Sequence, residues 1–201
     1  MILQQLSQID SLQTRALASW LEREPDPFPK DFRGLVLQQH YGNFRQWRWE
    51  DVCRQPGIDD HALAQAKRAI DKLNGRRHEL IEAMDDALLK ALHRQGLEQN
   101  PRAPLNSESP GSMIDRCSIL ALRLHFKQAQ IDRSPQTGRE LKKFEAVHAF
   151  ISKQRADLLG CLEELMAAVA AGGRRFPVYR HFKIYGGTAA PPPPVDEPSS
   201  A

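Results

Sequence analysis

No stretch of this sequence reaches the roughly 18 consecutive apolar residues that a membrane-spanning helix needs, so a membrane role is not expected. The first residues, MILQQLSQIDSLQ, carry neither a basic segment nor a continuous apolar core, and no export signal is visible. The three cysteines, Cys53, Cys117 and Cys161, are odd in number, far apart and without C-x-x-C spacing, so neither a disulfide framework nor a zinc site is indicated. A reducing cytoplasm is the expected compartment. Charge of one sign is also lacking: 28 Lys and Arg face 25 Asp and Glu, a net +3, and the two signs are interspersed. That distribution argues against a dedicated nucleic-acid or membrane-surface protein. There is almost no strand signal, no Gly-rich P-loop or dinucleotide fingerprint, and no recognisable Ser-His-Asp or Cys-His order.

What the 201 residues do contain is helical periodicity, with 41% hydrophobic and 26% charged residues, enough for one domain with a sizeable core. The expected fold is all-α, a bundle of about five helices. Ile2, Leu6, Ile9, Leu12, Leu17, Trp20 and Leu21 predict an N-terminal helix over 1–24, and the three prolines of EPDPFPK break it. A bundle domain follows over 35–186, with helices predicted at 35–54, 60–95, 112–130 and 138–171. The second helix shows a core stripe of Leu37, Tyr41, Phe44 and Val52, and the third one of Leu63, Ala66, Ile70, Leu73, Leu80, Ile81, Met84, Leu88 and Ala91. In the last helix Leu141, Phe144, Val147, Ile151, Leu158, Leu162, Leu165 and Val169 form the stripe. Ser134 to Gly138 reads as a turn, and 187–201, with four consecutive prolines, as a disordered tail.

The stretch on which the rest turns is Leu105 to Phe126, a small-residue loop leading into a helix apolar on nearly every side. Ser109-Pro110 suits an N-cap and first helical position, and Ser112-x-x-Asp115 has capping-box spacing one turn later. Asp115 lies within roughly 40° of Ile119, Leu122 and Phe126 on the helical wheel, so a carboxylate falls on a face that should be dry. Arg77 falls in the centre of the preceding helix's apolar stripe. Each misplaced charge needs a partner, and the two are expected to form a buried pair.

Two polar ridges carry the remaining chemistry. His40, Asn43, Trp47, Glu50, Asp51 and Arg54 project together from the second helix, and Lys67, Asp71, Asn74, His78, Glu82 and Asp85 line one edge of the third. The bland reading of each is a solvated face. The stretches HYGNFRQWRWEDVCR at 40–54, KRAIDKLNGRRHELIEAMDDAL at 67–88, LNSESPGSMIDRCSILALRLHF at 105–126 and VYRHFKIY at 178–185 together resemble a bacterial family catalogued only as domain of unknown function 4254. The resemblance covers roughly 35–186 and implies a helical fold with no established activity.

Two functional readings stay open. In the first, the ridges converge on a small phosphorylated ligand, a nucleotide, nucleotide-sugar or sugar phosphate. Glu50, Asp51, Glu82 and Asp85 are then the candidate catalytic carboxylates, and His40, Asn43, Trp47, Asp71, Asn74, Asn106, Ser107 and Glu108 the ligand-binding set. The loop Asn106 to Gly111 would be a lid or anion cradle. Glu79-x-x-Glu82-x-x-Asp85 is similar to the acidic helix pairs by which all-helical nucleotide pyrophosphohydrolases hold magnesium, although a complete four-carboxylate pattern is missing; magnesium is the cofactor that this reading would take. In the second, the protein is a noncatalytic adaptor or dimerising interaction protein, with polar residues serving as buried specificity networks. Nucleic acid ranks third, on the basic-aromatic segment 174–185 alone, which more simply packs its aromatics over a bundle end.

Overall fold

The computed structural model describes residues 5–133 and 138–181. Within them lie five helices, α1 (Ile9–Trp20), α2 (Phe32–Cys53), α3 (Asp60–Arg94), α4 (Pro110–Arg133) and α5 (Arg139–Ala170). Strand pairing among the described residues is limited to one isolated bridge between Leu105 and Arg175. The fold is all-α. The expected 134–137 turn residues, the 187–201 tail and the end of the basic-aromatic segment lie outside the described residues.

Local chemistry sets the helix starts. Asp31 accepts from the Gly34 backbone N–H at 2.9 Å to begin α2, and Asp59 from that of Ala62 at 2.8 Å to begin α3. Pro110 opens α4, where the Ser112 N–H donates to Ser109 Oγ at 3.3 Å. Of the two capping patterns in this stretch, the earlier is used; Asp115 turns into the bundle. Gly96, with φ 71°, ends α3 in the left-handed conformation that costs glycine least.

The two most extensive helix pairings are α2 with α3 and α4 with α5. A short turn joins α2 to α3, and Gln38 opposite Arg76 fixes their antiparallel register. α4 runs parallel to α2, since Gln39, Asn43 and Trp47 meet Asp115, Ser118 and Phe126 in that order. One apolar cluster gathers Leu6, Ile9, Val36, Met84, Leu88, Ile114, Leu162 and Met166; a smaller one joins Leu17, Phe44 and Leu122 beneath Trp20, Tyr41 and Trp47.

Two apolar stripes depart from expectation. α2 rolls so that Gln39, His40 and Asn43 face inward with Val36 and Phe44, while Leu37, Tyr41 and Val52 are half-buried. In α5 the stripe holds only from Arg155 onward: Val147 is 38% and Phe150 63% exposed, and no described residue of 123–133 or 139–154 is buried. α1, which covers α5 near Arg155, stops at Trp20, leaving α4 as the main neighbour of the N-terminal half of α5. Leu63, assigned to the α3 stripe, is 41% exposed for the analogous reason that it lies in the first turn.

Candidate functional site

Asp115, 3% exposed, is the centre of a polar chain through the bundle. Arg77 of α3 approaches it with two nitrogens: Nε donates to Oδ1 at 2.7 Å and Nη2 to Oδ2. The same Oδ1 accepts from Gln39 Nε2 and, at 3.0 Å, from Asn43 Nδ2, both on α2. Arg77 and Asp115, each misplaced in its own apolar stripe, are thus brought together. The pairing pushes the Arg77 guanidinium above its ordinary pKa, chiefly through the hydrogen bonds to Asp115. Taking away one member of such a buried pair costs about 3–5 kcal/mol, because the other is left charged and alone.

From Asp115 the chain continues inward. Asn43 Nδ2 also donates to Ser118 Oγ at 3.0 Å, and Ser118 lies 2.7 Å from His40 Nδ1. His40 Nε2 faces the Gln13 carbonyl oxygen at 3.0 Å, which fixes the tautomer: Nε2 carries the proton, and Nδ1 accepts from the serine. Gln13 Oε1 in turn accepts from Arg155 Nη2 at 3.0 Å, and Arg155 reaches the Cys117 carbonyl and Asp10. One hydrogen-bonded path therefore passes through all five helices, α5 to α1 to α2 to α4 to α3. His40 and Ser118 are both 0% exposed, and burial lowers the imidazole to about 3. They hold the bundle together; a substrate cannot reach that serine.

The four candidate carboxylates do not meet. In the antiparallel α2–α3 register set by Gln38 and Arg76, Glu82 stands opposite residue 32, which is 18 residues from Glu50, about 27 Å at 1.5 Å rise per residue. Glu50 and Asp51 are tied to Arg54 at the surface. Glu82 accepts from Arg180 at 3.2 Å and from the His181 N–H at 2.7 Å, the latter chiefly lowering its pKa. Asp85, 2% exposed, accepts from the Gly111 N–H at 2.7 Å, and burial raises it to about 6. It stands where an anion would sit at the α4 N-terminus, so the loop from Asn106 to Gly111 is not an open cradle. Asn106 there donates to the Glu108 carbonyl, Glu108 holds Arg116 at 2.7 Å, and Ser107 is exposed. Asp71 pairs with Lys67 on the surface. Among the described residues, no three His, Cys, Asp or Glu side chains are grouped to hold a metal ion.

What the ridges do bring together is a seam between α2, α3 and α4. Arg77 is its opening, with 28% of its side chain exposed. Asn74, half-buried, precedes it by three residues on the same side of α3. Trp47 lies two turns, about 12 Å, beyond Gln39 and stacks on Phe126 at 5.1 Å and 6°. Beside the opening, His78 stacks on His181 at 4.0 Å, and burial first, then the proximity of His181 and Arg77, lowers its pKa. Gln39, Ser118, Gln13 and Arg155 were not singled out by sequence reasoning. The signal existed for two: Ser118 is one turn from Asp115 on the same face, and Arg155 sits between Ile151 and Leu158 as Arg77 sits among its own apolar neighbours.

No curated protein and no solved structure matches the chain. A family model described as protein of unknown function (DUF4254) matches residues 33–178, the span that holds α2 but for its first residue, α3 to α5, Asp115 and the Arg77, Gln39 and Asn43 that its oxygens accept from. The chain belongs to that family.

Proposed function

We propose that the seam between α2, α3 and α4 binds a small anionic molecule, phosphate- or carboxylate-bearing, with Arg77 as its anchor. The observation that carries this reading is the Arg77–Asp115 pair. Its guanidinium is held at two points by a nearly dry carboxylate, which itself accepts from Gln39 and Asn43, yet the side chain opens to solvent. A buried ion pair of this kind is often no more stabilising than apolar side chains of similar volume, so bundle stability alone does not account for a guanidinium placed at this opening. A preorganised guanidinium suits planar, two-point contact with phosphate or carboxylate oxygens. Gln39 Oε1, buried and without a hydrogen-bond partner among the described residues, leaves one acceptor unmet beside Asp115. Asn74 adds an amide on the same side, and the Trp47–Phe126 stack an apolar wall. The dispersed carboxylates give the magnesium-assisted version no cluster to stand on, and this reading makes no use of them.

The test is a thermal-shift titration with inorganic phosphate, pyrophosphate, sugar phosphates and nucleoside mono- and diphosphates. A ligand that binds only the folded state adds about 2.7 kcal/mol at a hundredfold excess over its Kd. At least one anion should raise Tm saturably, and Arg77→Lys, which keeps the charge but not the planar fork, should weaken that response at least about tenfold. A panel without effect, or an undiminished response in Arg77→Lys, would overturn the reading.

A further inference from the structure

We infer that the outer face of the α4–α5 hairpin is the contact surface for a second copy of this chain, joined through a two-fold axis lying along the groove between the two helices. The groove has a volume of about 550 Å³ and a floor that includes Ile119, Leu120 and Leu158. Its α5 wall is a single stripe of Gln154, Asp157 and Cys161, spaced by three and four, which Phe150 continues beyond the groove four residues before Gln154. Arg116, Leu120 and Arg123 repeat those steps along the α4 wall. Phe150 and Val147, 63% and 38% exposed, extend the apolar surface toward the N-terminal end of α5, and large exposed apolar side chains in one stripe mark an interface.

Charge selects the partner. One wall is basic, with Arg116 and Arg123, and the other carries Asp157. Across the hairpin, Arg155 reaches the Cys117 carbonyl and Lys127 lies over the Phe144 ring, so facing residues have numbers that add to about the same value. Arg116 is thereby level with Asp157, and Arg123 with Phe150, each within about one residue. A two-fold axis along the groove lays the α4 wall of each copy on the α5 wall of the other at unchanged level. Arg116 then meets the partner copy's acidic wall at Asp157, and Arg123 covers the exposed phenyl ring of Phe150, each contact made twice. An axis across the groove would instead lay basic wall on basic wall. The cis partners of these charges, Glu108 for Arg116 and Lys153 for Asp157, form exposed pairs that hold little energy against the exchange. The face lies about 100° round α4 from Asp115, so this assembly and the Arg77 site stand or fall separately.

Sedimentation velocity of the full chain over a concentration series tests the assignment. The wild type should dimerise, and Arg116→Asp and Asp157→Arg should each weaken the dimer at least about tenfold, since like charges then face each other twice. The double variant Arg116→Asp/Asp157→Arg should return to within about threefold of wild type, a recovery that loss of folding cannot mimic. Cys161, exposed on the same stripe, should cross-link between copies with a short bis-maleimide, and Cys161→Ser should abolish the product. A wild-type chain that stays monomeric at 100 µM, or a double variant no better than the singles, would overturn the proposal.

Discussion

His40 shows how one residue couples the bundle to pH. Its imidazole is lowered to about 3, first by burial, while the unfolded chain has an ordinary histidine near 6.5. Between those values the unfolded state binds the extra proton. The stability His40 contributes is therefore present above about pH 6.5 and lost as pH falls, at about 1.4 kcal/mol per unit. From pH 7 to pH 5 the loss is about 2 kcal/mol. Asp85 acts in the opposite direction: burial raises it to about 6, so its contribution is fully present below the unfolded value near 3.9 and is lost as pH rises through 6. The two offset each other between about pH 4 and 6, and wild-type stability alone would hide both. The measurement is the difference between wild type and His40→Gln in urea unfolding. That difference should shrink by about 2 kcal/mol from pH 7 to pH 5; an unchanged gap would mean that His40 is already charged or hydrated in the fold.

At the scale of elements, α3 and α4 cross closely at Gly111, whose backbone N–H is held by Asp85. A Cβ there would stand 2.5 Å from the Ile81 carbonyl oxygen and 2.9 Å from Asp85 Oδ1, so the helices would have to part. Gly111→Ala should cost about 1–3 kcal/mol as overpacking, whereas Gly160→Ala, whose Cβ would meet no other element within 4 Å among the described residues, should stabilise α5 by about 0.5–1 kcal/mol. Thermal unfolding of the two variants checks the sign of each change, and a neutral Gly111→Ala would show that the crossing has slack. Element positions were legible in the sequence because end signals are local: the prolines of EPDPFPK mark a stop and Ser109-Pro110 a start without reference to the rest of the chain. The orientation of α2 was not, since a stripe of Leu37, Tyr41 and Phe44 and a ridge of His40 and Asn43 are both credible inner faces until Asp115 supplies the ridge's partner. Nor was the exposed half of α5 legible, because Val147 and Phe150 have helical apolar spacing whether or not another helix arrives to cover them. Arg77 and Asp115 were legible because a charge inside an apolar stripe is a local contradiction with few resolutions. The four carboxylates were not separable by that logic, as periodicity gives the side of a helix but not the distance between two residues along an antiparallel pair.

For the molecule as a whole, the shortest helix joins the others. α1 precedes the family match, which begins at residue 33, yet Gln13 is 0% exposed and links three helices at once. Its carbonyl oxygen receives His40, its Nε2 donates to the Ile114 carbonyl at 3.3 Å, and its Oε1 accepts from Arg155. Leu6 and Ile9 enter the main apolar cluster and Leu17 the smaller one, so α1 also contributes to both cores. Deleting residues 1–24 would leave the His40 Nε2–H without its acceptor, take Asp10 and Gln13 from Arg155 and the Gln13 amide from the Ile114 carbonyl, and remove the burial of Leu6, Ile9, Leu12 and Leu17. Each unmet buried polar group costs about 1–3 kcal/mol and each aliphatic side chain returned to water about 1.5–3 kcal/mol, a sum comparable to the whole stability of a domain. The truncated chain should therefore lose its cooperative thermal transition, or retain one only at a much lower Tm, and amides in α2 and α4 around His40 and Ser118 should exchange with solvent fastest relative to wild type. If residues 25–201 instead unfold with the wild-type Tm and the same protection at those amides, α1 is an appendage and the polar path closes without it.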